Sequence, residues 1–238
     1  MTFRFTQLDV FTATPLLGNP LAVVHGADAL SDAQMAAFAR WTNLSETTFL
    51  LTPTDPAADY RVRIFTPDRE LPFAGHPTLG SCHAWLAAGG VPRGEPVLQQ
   101  CGIGLVRVKR DGERLAFAAP PLRRSGPVEP AVLAQVARCL HIESSAIRAA
   151  HWVANGPNWV AVVLGTREEL LALKPDFVAM GELELGVLAP WPGGEAQFEV
   201  RGFVPTHGVN EDPVTGSLNA GIAQWLIGAG LAPDAYVA

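Results

Sequence analysis

The chain has 238 residues, enough for one large or two modest domains. Hydrophobic residues make up 48% and charged residues 17%, which supports a well-buried core and excludes a disordered chain. A net charge of −6 argues against nucleic acid and anionic membrane surfaces as partners, and no run of about 18 apolar residues is present to span a bilayer.

The N-terminal string MTFRFTQLDVFT alternates with period two and lacks an apolar signal core, so Phe3 to Phe11 is predicted as a strand. Thr14 to Pro20 is a turn-rich loop, and Leu21 to Val24 reads as a short buried strand. Ser31 with Gln34 forms a capping-box pattern ahead of a helix from Asp32 to Trp41. The polar bend Asn43-Leu44-Ser45-Glu46 leads into a strand from Thr47 to Leu51, and Tyr60 to Phe65 is another strand. After a loop from Pro67 to Ala74, GHPTLGSCHAWLAAG (Gly75 to Gly89) is a small-residue helix, apolar on most faces and therefore buried. Leu98 to Val108 and Arg114 to Ala118 flank Asp111-Gly112, a hairpin signal.

Ala119-Pro120-Pro121 marks a boundary, dividing the chain into domains 1–118 and 119–238. Beyond it, Pro130 to Leu140 is a helix and Trp159 to Leu164 a strand, and Thr166 with Glu169 caps a helix carrying Leu170 to Leu173. Val187-Leu188 and Phe198 to Phe203 are strands, and the loop Pro205 to Thr215 opens a second small-residue helix, GSLNAGIAQWLIGAG. Strands and helices mix with hairpins and without regular βαβ alternation, so the fold class is α+β.

The two small-residue helices belong to a repeat. Arg63 and Arg201, Phe65 and Phe203, and Pro67 and Pro205 are each 138 residues apart, whereas Gly75 and Gly216, and Gly80 and Gly221, are 141 apart. Landmarks in one register indicate a duplicated unit, hence two similar domains, each wrapped around its own central helix. The three cysteines have no CxxC spacing and read as free thiols in a reducing cytoplasm. A homodimer is the default assembly.

Each central helix starts at a glycine after a loop, where unsatisfied N–H groups and the helix dipole favour an anion. Either glycine alone reads as a cap or a packing position; both together, with His76, Asp212, Thr215 and Ser217 nearby, read as a carboxylate-binding site. His76 could exchange a hydrogen bond with substrate or satisfy a loop carbonyl, Asp212 could cap the helix, and Ser217 lacks the G-x-S-x-G context of a nucleophile. Glu46, between an apolar helix and an apolar strand, is either a partly buried carboxylate suited to proton transfer or a solvated strand-start residue. Glu184 lies 138 residues beyond it in a different local string, GELELG, and reads as surface. His76 and His83 have no third ligand nearby, so no metal is expected, and nothing calls for a cofactor.

The strings LDVFTATPLLGNPLAVV, LSETTF, RIFTPDRELPFAGHPTLG and RGFVPTHGVNEDPVTGSLNAG together resemble the phenazine-biosynthesis PhzF-like proteins of the diaminopimelate epimerase superfamily. The resemblance implies two pseudo-symmetric domains, each a curved, mostly antiparallel sheet around a central helix, with the active site between them. It implies a cofactor-independent isomerase that moves a proton on a small carboxylated cyclic or unsaturated metabolite, with Glu46 as acid/base and His76 and Asp212 assisting. Asn19, Gly75, Thr215, Gly216 and Ser217 become the substrate-binding set. The rival expectation is a non-catalytic member that binds a metabolite or a protein. Members of that family usually continue past the second central helix into closing strands, a C-terminal segment that this sequence, read to Ala238, is expected to lack.

Overall fold

The computed structural model describes residues 2–112, 114–205, 210–212 and 214–238. The chain divides into two compact units, Met1–Ala118 and Ala119–Ala238. Among the described residues no helix is long and apolar enough to cross a membrane.

In the first unit the order is β1 (Arg4–Val10), β2 (Asn19–His25), α1 (Asp32–Thr42), β3 (Glu46–Leu51), β4 (Tyr60–Phe65), β5 (Glu70–Leu71), α2 (Gly75–Ala87), β6 (Val97–Cys101), β7 (Gly104–Asp111) and β8 (Arg114–Phe117). Seven strands form the sheet path β1-β2-β3-β4-β6-β7-β8, and β5 adds to β4. Among the described residues of this unit only β2/β3 and β4/β6 run parallel. The sheet curls round α2, which packs against β1, β2, β3, β6 and β8. Leu21, Val23, Tyr60, Val62 and Ile64 join Cys82 and Ala84 of α2 in one cluster. Val24, Phe49 and Phe65 join Met35 and Ala39 of α1 in another. Strand β2 thus has helices on both faces, which is why Leu-Ala-Val-Val is continuously apolar rather than alternating. The capping box that starts α1 is formed: the Ser31 and Gln34 side chains each accept from the other's backbone N–H.

In the second unit the order is β9 (Arg124–Gly126), α3 (Pro130–Leu140), β10 (Ala149–Ala154), β11 (Val160–Val163), α4 (Arg167–Leu171), α5 (Phe177–Met180), β12 (Leu185–Pro190), β13 (Phe198–Phe203), β14 (Glu211–Asp212) and α6 (Gly216–Gly228). The sheet order is β14-β13-β12-β11-β10-β9. Trp159, Ala161 and Leu188 pack with Leu218, Ile222 and Trp225 of α6, while Val160, Val162, Leu185 and Val187 pack with Val136 and Leu140 of α3 and Leu170 of α4.

The units repeat one plan: an antiparallel hairpin, a helical crossover to a parallel strand, an antiparallel return, a two-residue strand and the central helix. Strand β4 matches β13 and β2 matches β11, α2 and α6 both have 13 residues, and each is closely approached by its sheet at the same place. A Cβ on Gly80 would lie 2.5 Å from Leu21 Cδ2, and one on Gly221 would lie 2.5 Å from the Val153 carbonyl oxygen.

The structure departs from the sequence reading in several places. Leu98 to Val108 is two strands, because the chain turns at Gly102-Ile103 and Gly104 has φ of 103°. The loop Pro67 to Ala74 contains β5, and the loop Pro205 to Thr215 contains β14, with residues 206–209 and 213 outside the described residues. Strands β9 and β10 and helix α5 were unanticipated. Glu184 is half-buried rather than at the surface, and its carboxylate accepts from the Asn158 N–H.

Candidate functional site

The candidate residues gather at the starts of the two central helices, one group in each unit. In the first unit, Leu21 and Glu46 are paired across β2 and β3, so Glu46 is the first residue of its strand, half-buried, rather than the end of a free bend. Helix α2 begins at Gly75 without a side-chain cap. Its third residue is Pro77, which has no N–H, so the amides of Gly75 and His76 are the first-turn donors without an intrahelical acceptor. Gly75 packs closely, since a Cβ there would lie 3.2 Å from the Phe117 ring.

His76 Nδ1 lies 3.3 Å from Glu46 Oε2. Burial pushes the imidazole pKa down to about 4, only partly opposed by a backbone hydrogen bond at Pro20, so the ring is neutral at pH 7 beside the carboxylate. Its other nitrogen, Nε2, is buried without a partner. A neutral ring can leave that nitrogen as an acceptor, whereas an imidazolium would bury an unsatisfied N–H. Asn19, 2% exposed, also has an unpartnered buried Oδ1 and starts β2 next to Pro20. The first unit therefore unites Glu46 and His76 in direct contact, with Asn19 and Gly75 on the elements that carry them.

The sequence reading did not single out Phe11. Its ring centroid lies 6.3 Å from that of His76, it is exposed, and its φ of 67° is rare for an aromatic residue. Only the backbone angle and the fold reveal this contact.

In the second unit, Thr215 is the N-cap of α6, yet its hydroxyl makes no capping bond and is buried without a partner. Ser217 is half-buried in the first turn; its Oγ accepts from Trp159 Nε1 at 3.0 Å, and its carbonyl accepts from Asn155 Nδ2 at 2.8 Å. The amides of Gly216, Ser217 and Leu218 precede the first intrahelical bond, from Asn219 N–H to the Thr215 carbonyl at 3.0 Å. Donors dominate this helix start, the setting for an anion. Asp212 is not a helix cap: it lies in β14, paired with Gly202, and is half-buried.

The repeat relates the groups. Leu21, Glu46 and His76 of the first unit correspond to Trp159, Glu184 and Ser217 of the second, with Val160 N–H bonded to the Glu184 carbonyl beside the β11/β12 pairing. Among the described residues no three His, Cys, Asp or Glu converge as metal ligands; on α2, His76 is buried and His83 exposed.

A family model described as phenazine biosynthesis-like protein matches residues 8–235. Antisense-enhancing sequence 1 of Schizosaccharomyces pombe is 40% identical over 90% of this chain and 76% of its own length. Trans-2,3-dihydro-3-hydroxyanthranilate isomerase of Pseudomonas fluorescens is 35% identical over 90% of this chain and 76% of its own length. The crystal structure of a PhzF-family phenazine biosynthesis protein from Enterococcus faecalis superposes with a TM-score of 0.78 at 29% identity, covering 97% of this chain and 84% of that one.

Proposed function

The chain belongs to the phenazine biosynthesis-like (PhzC–PhzF) family, and on that premise we propose that it is an isomerase moving a proton on a small cyclic or unsaturated carboxylate, with Glu46 as the acid/base. The observation that carries this reading is the contact between Glu46 and a buried, neutral His76. Glu46 takes a proton from a carbon beside the unsaturation, the electron pair of that C–H bond shifts into the π system, and the protonated carboxyl, whose O–H exchanges with solvent, delivers a proton at the far end of that system. His76 stays neutral and orients the Glu46 carboxyl, and Asp212, on β14 ahead of α6, is the polar or acid residue of the group in the second unit. In the first unit the Gly75 amide and the Asn19 side-chain amide are substrate-binding groups, and in the second unit the donors at Thr215, Gly216 and Ser217 form a carboxylate-binding helix start. General acid–base assistance of this kind contributes roughly 10²–10⁴-fold. The isomerase relative supports the reaction class.

The second reading is a member of the same fold that binds its ligand without converting it; the relative at 40% identity bears a name that is not an enzyme's. Solvent exchange separates the two. Small cyclic and unsaturated carboxylates that raise the unfolding temperature are incubated in D₂O with the wild type and with Glu46→Gln, and deuterium is read by NMR. The isomerase labels its ligand, and Glu46→Gln lowers labelling by about 10²-fold or more while binding persists. Equal labelling by both proteins removes Glu46 from the mechanism, and binding without labelling by the wild type favours the second reading.

A further inference from the structure

Trp159 is 1% exposed and packs with Val153, Leu188, Leu218 and Ile222. Its one polar atom, Nε1, spends its proton on the Oγ of Ser217, 3.0 Å away at the start of α6. A serine hydroxyl has one proton and two lone pairs. With one lone pair occupied by the indole, the Ser217 proton is directed away from Trp159. The same helix start has first-turn amides without intrahelical acceptors and the buried, unpartnered hydroxyl of Thr215, which is 7% exposed.

We propose that Trp159 is a positioning residue: it fixes the Ser217 hydroxyl as a hydrogen-bond donor to the carboxylate of the ligand. The inference rests on the carboxylate reading of the α6 start given above. An aliphatic side chain would fill the same core, as Leu21 does at the matching place in the first unit, but would leave the serine rotor undirected. Asn155 adds a second restraint by holding the Ser217 carbonyl. A hydroxyl already oriented as a donor loses less rotational freedom on meeting an anion, and a donor to a carboxylate is charge-assisted.

The test is a double-mutant cycle with benzoate as the carboxylate probe. Wild type, Trp159→Phe, Ser217→Ala and the double variant are titrated by calorimetry. Each single substitution is expected to weaken benzoate binding about 3- to 10-fold, and the double variant to bind no more weakly than Ser217→Ala alone. Losses that multiply, or a silent Trp159→Phe beside a weakened Ser217→Ala, overturn the positioning role while keeping the carboxylate reading. Benzoate that fails to bind, or that binds wild type and Ser217→Ala alike, overturns the carboxylate reading and this inference with it. If Trp159→Phe does not fold, the indole N–H resonance of Trp159 in the unmutated protein decides. Donation by Ser217 to benzoate makes its Oγ a stronger acceptor, so the resonance moves downfield; an unmoved resonance in the benzoate-bound protein overturns the proposal.

Discussion

Replacing His76 by Asn should make the chain less sensitive to acid. In the folded state burial holds the imidazole pKa down to about 4, whereas in the unfolded chain it returns to about 6.5. Between those values the unfolded state binds a proton that the folded state does not. Stability therefore rises with pH across that window and is lost as pH falls from about 6.5 toward about 4. At about 1.4 kcal/mol per pH unit, the window amounts to about 3 kcal/mol, most of it developed by pH 4.5. Urea unfolding of wild type and His76→Asn at intervals from pH 7.5 to 4.5 reads the contribution, because carboxylates away from position 76 titrate in both proteins and cancel in the difference. Wild type should lose about 2–3 kcal/mol more than the variant, and the His76 ring resonances should not titrate until near pH 4. Parallel stability losses, or a ring that titrates near 6.5, would refute the assignment of a neutral imidazole beside Glu46.

Two further outcomes follow from packing and burial. Gly221→Ala should destabilise by about 1–3 kcal/mol, since its methyl would meet the Val153 carbonyl oxygen at 2.5 Å. Gly228→Ala, in the same helix with nothing within 4 Å, should stabilise by about 0.5 kcal/mol, and the reverse order of melting temperatures would refute the close-approach argument. Burial pushes the Cys82 and Cys139 thiols up to about 11, so at pH 8 both should resist alkylation in the native protein and react on unfolding, with labelled peptides read by mass spectrometry.

The strong signals in the sequence were those with a local physical cause. The small apolar stretches from Gly75 and Gly216 are the central helices because only small residues permit such close sheet contact, as Gly80 and Gly221 show. Ser31 with Gln34 and Thr166 with Glu169 form their capping boxes because each pair satisfies its own helix start. Other features depended on partners remote in sequence. Strand β10 (Ala149–Ala154) reads AAHWVA, without a clean alternation, and is a strand because β9 and β11 flank it. The 138-residue spacing also fails for the first strand: Leu8 pairs with Leu21 and Val153 lies beside Trp159, so these counterparts are 145 apart, the hairpin loop of the second unit being shorter. In the candidate site, the residue types at Glu46, His76 and Ser217 were legible. The neutrality of His76, the strand position of Asp212 and the indole bond to Ser217 arise only from burial and pairing in the folded chain.

Every strand of the eight-stranded sheet lies between Arg4 and Phe117, and every strand of the six-stranded sheet lies after it. A ribosome that has released the first 118 residues has therefore delivered every described strand of the first sheet before the first described strand of the second has emerged. Synthesis can proceed vectorially, one half condensing while the other is still being translated, so that the corresponding strands of the two repeats are separated in time and have little opportunity to pair with each other by mistake.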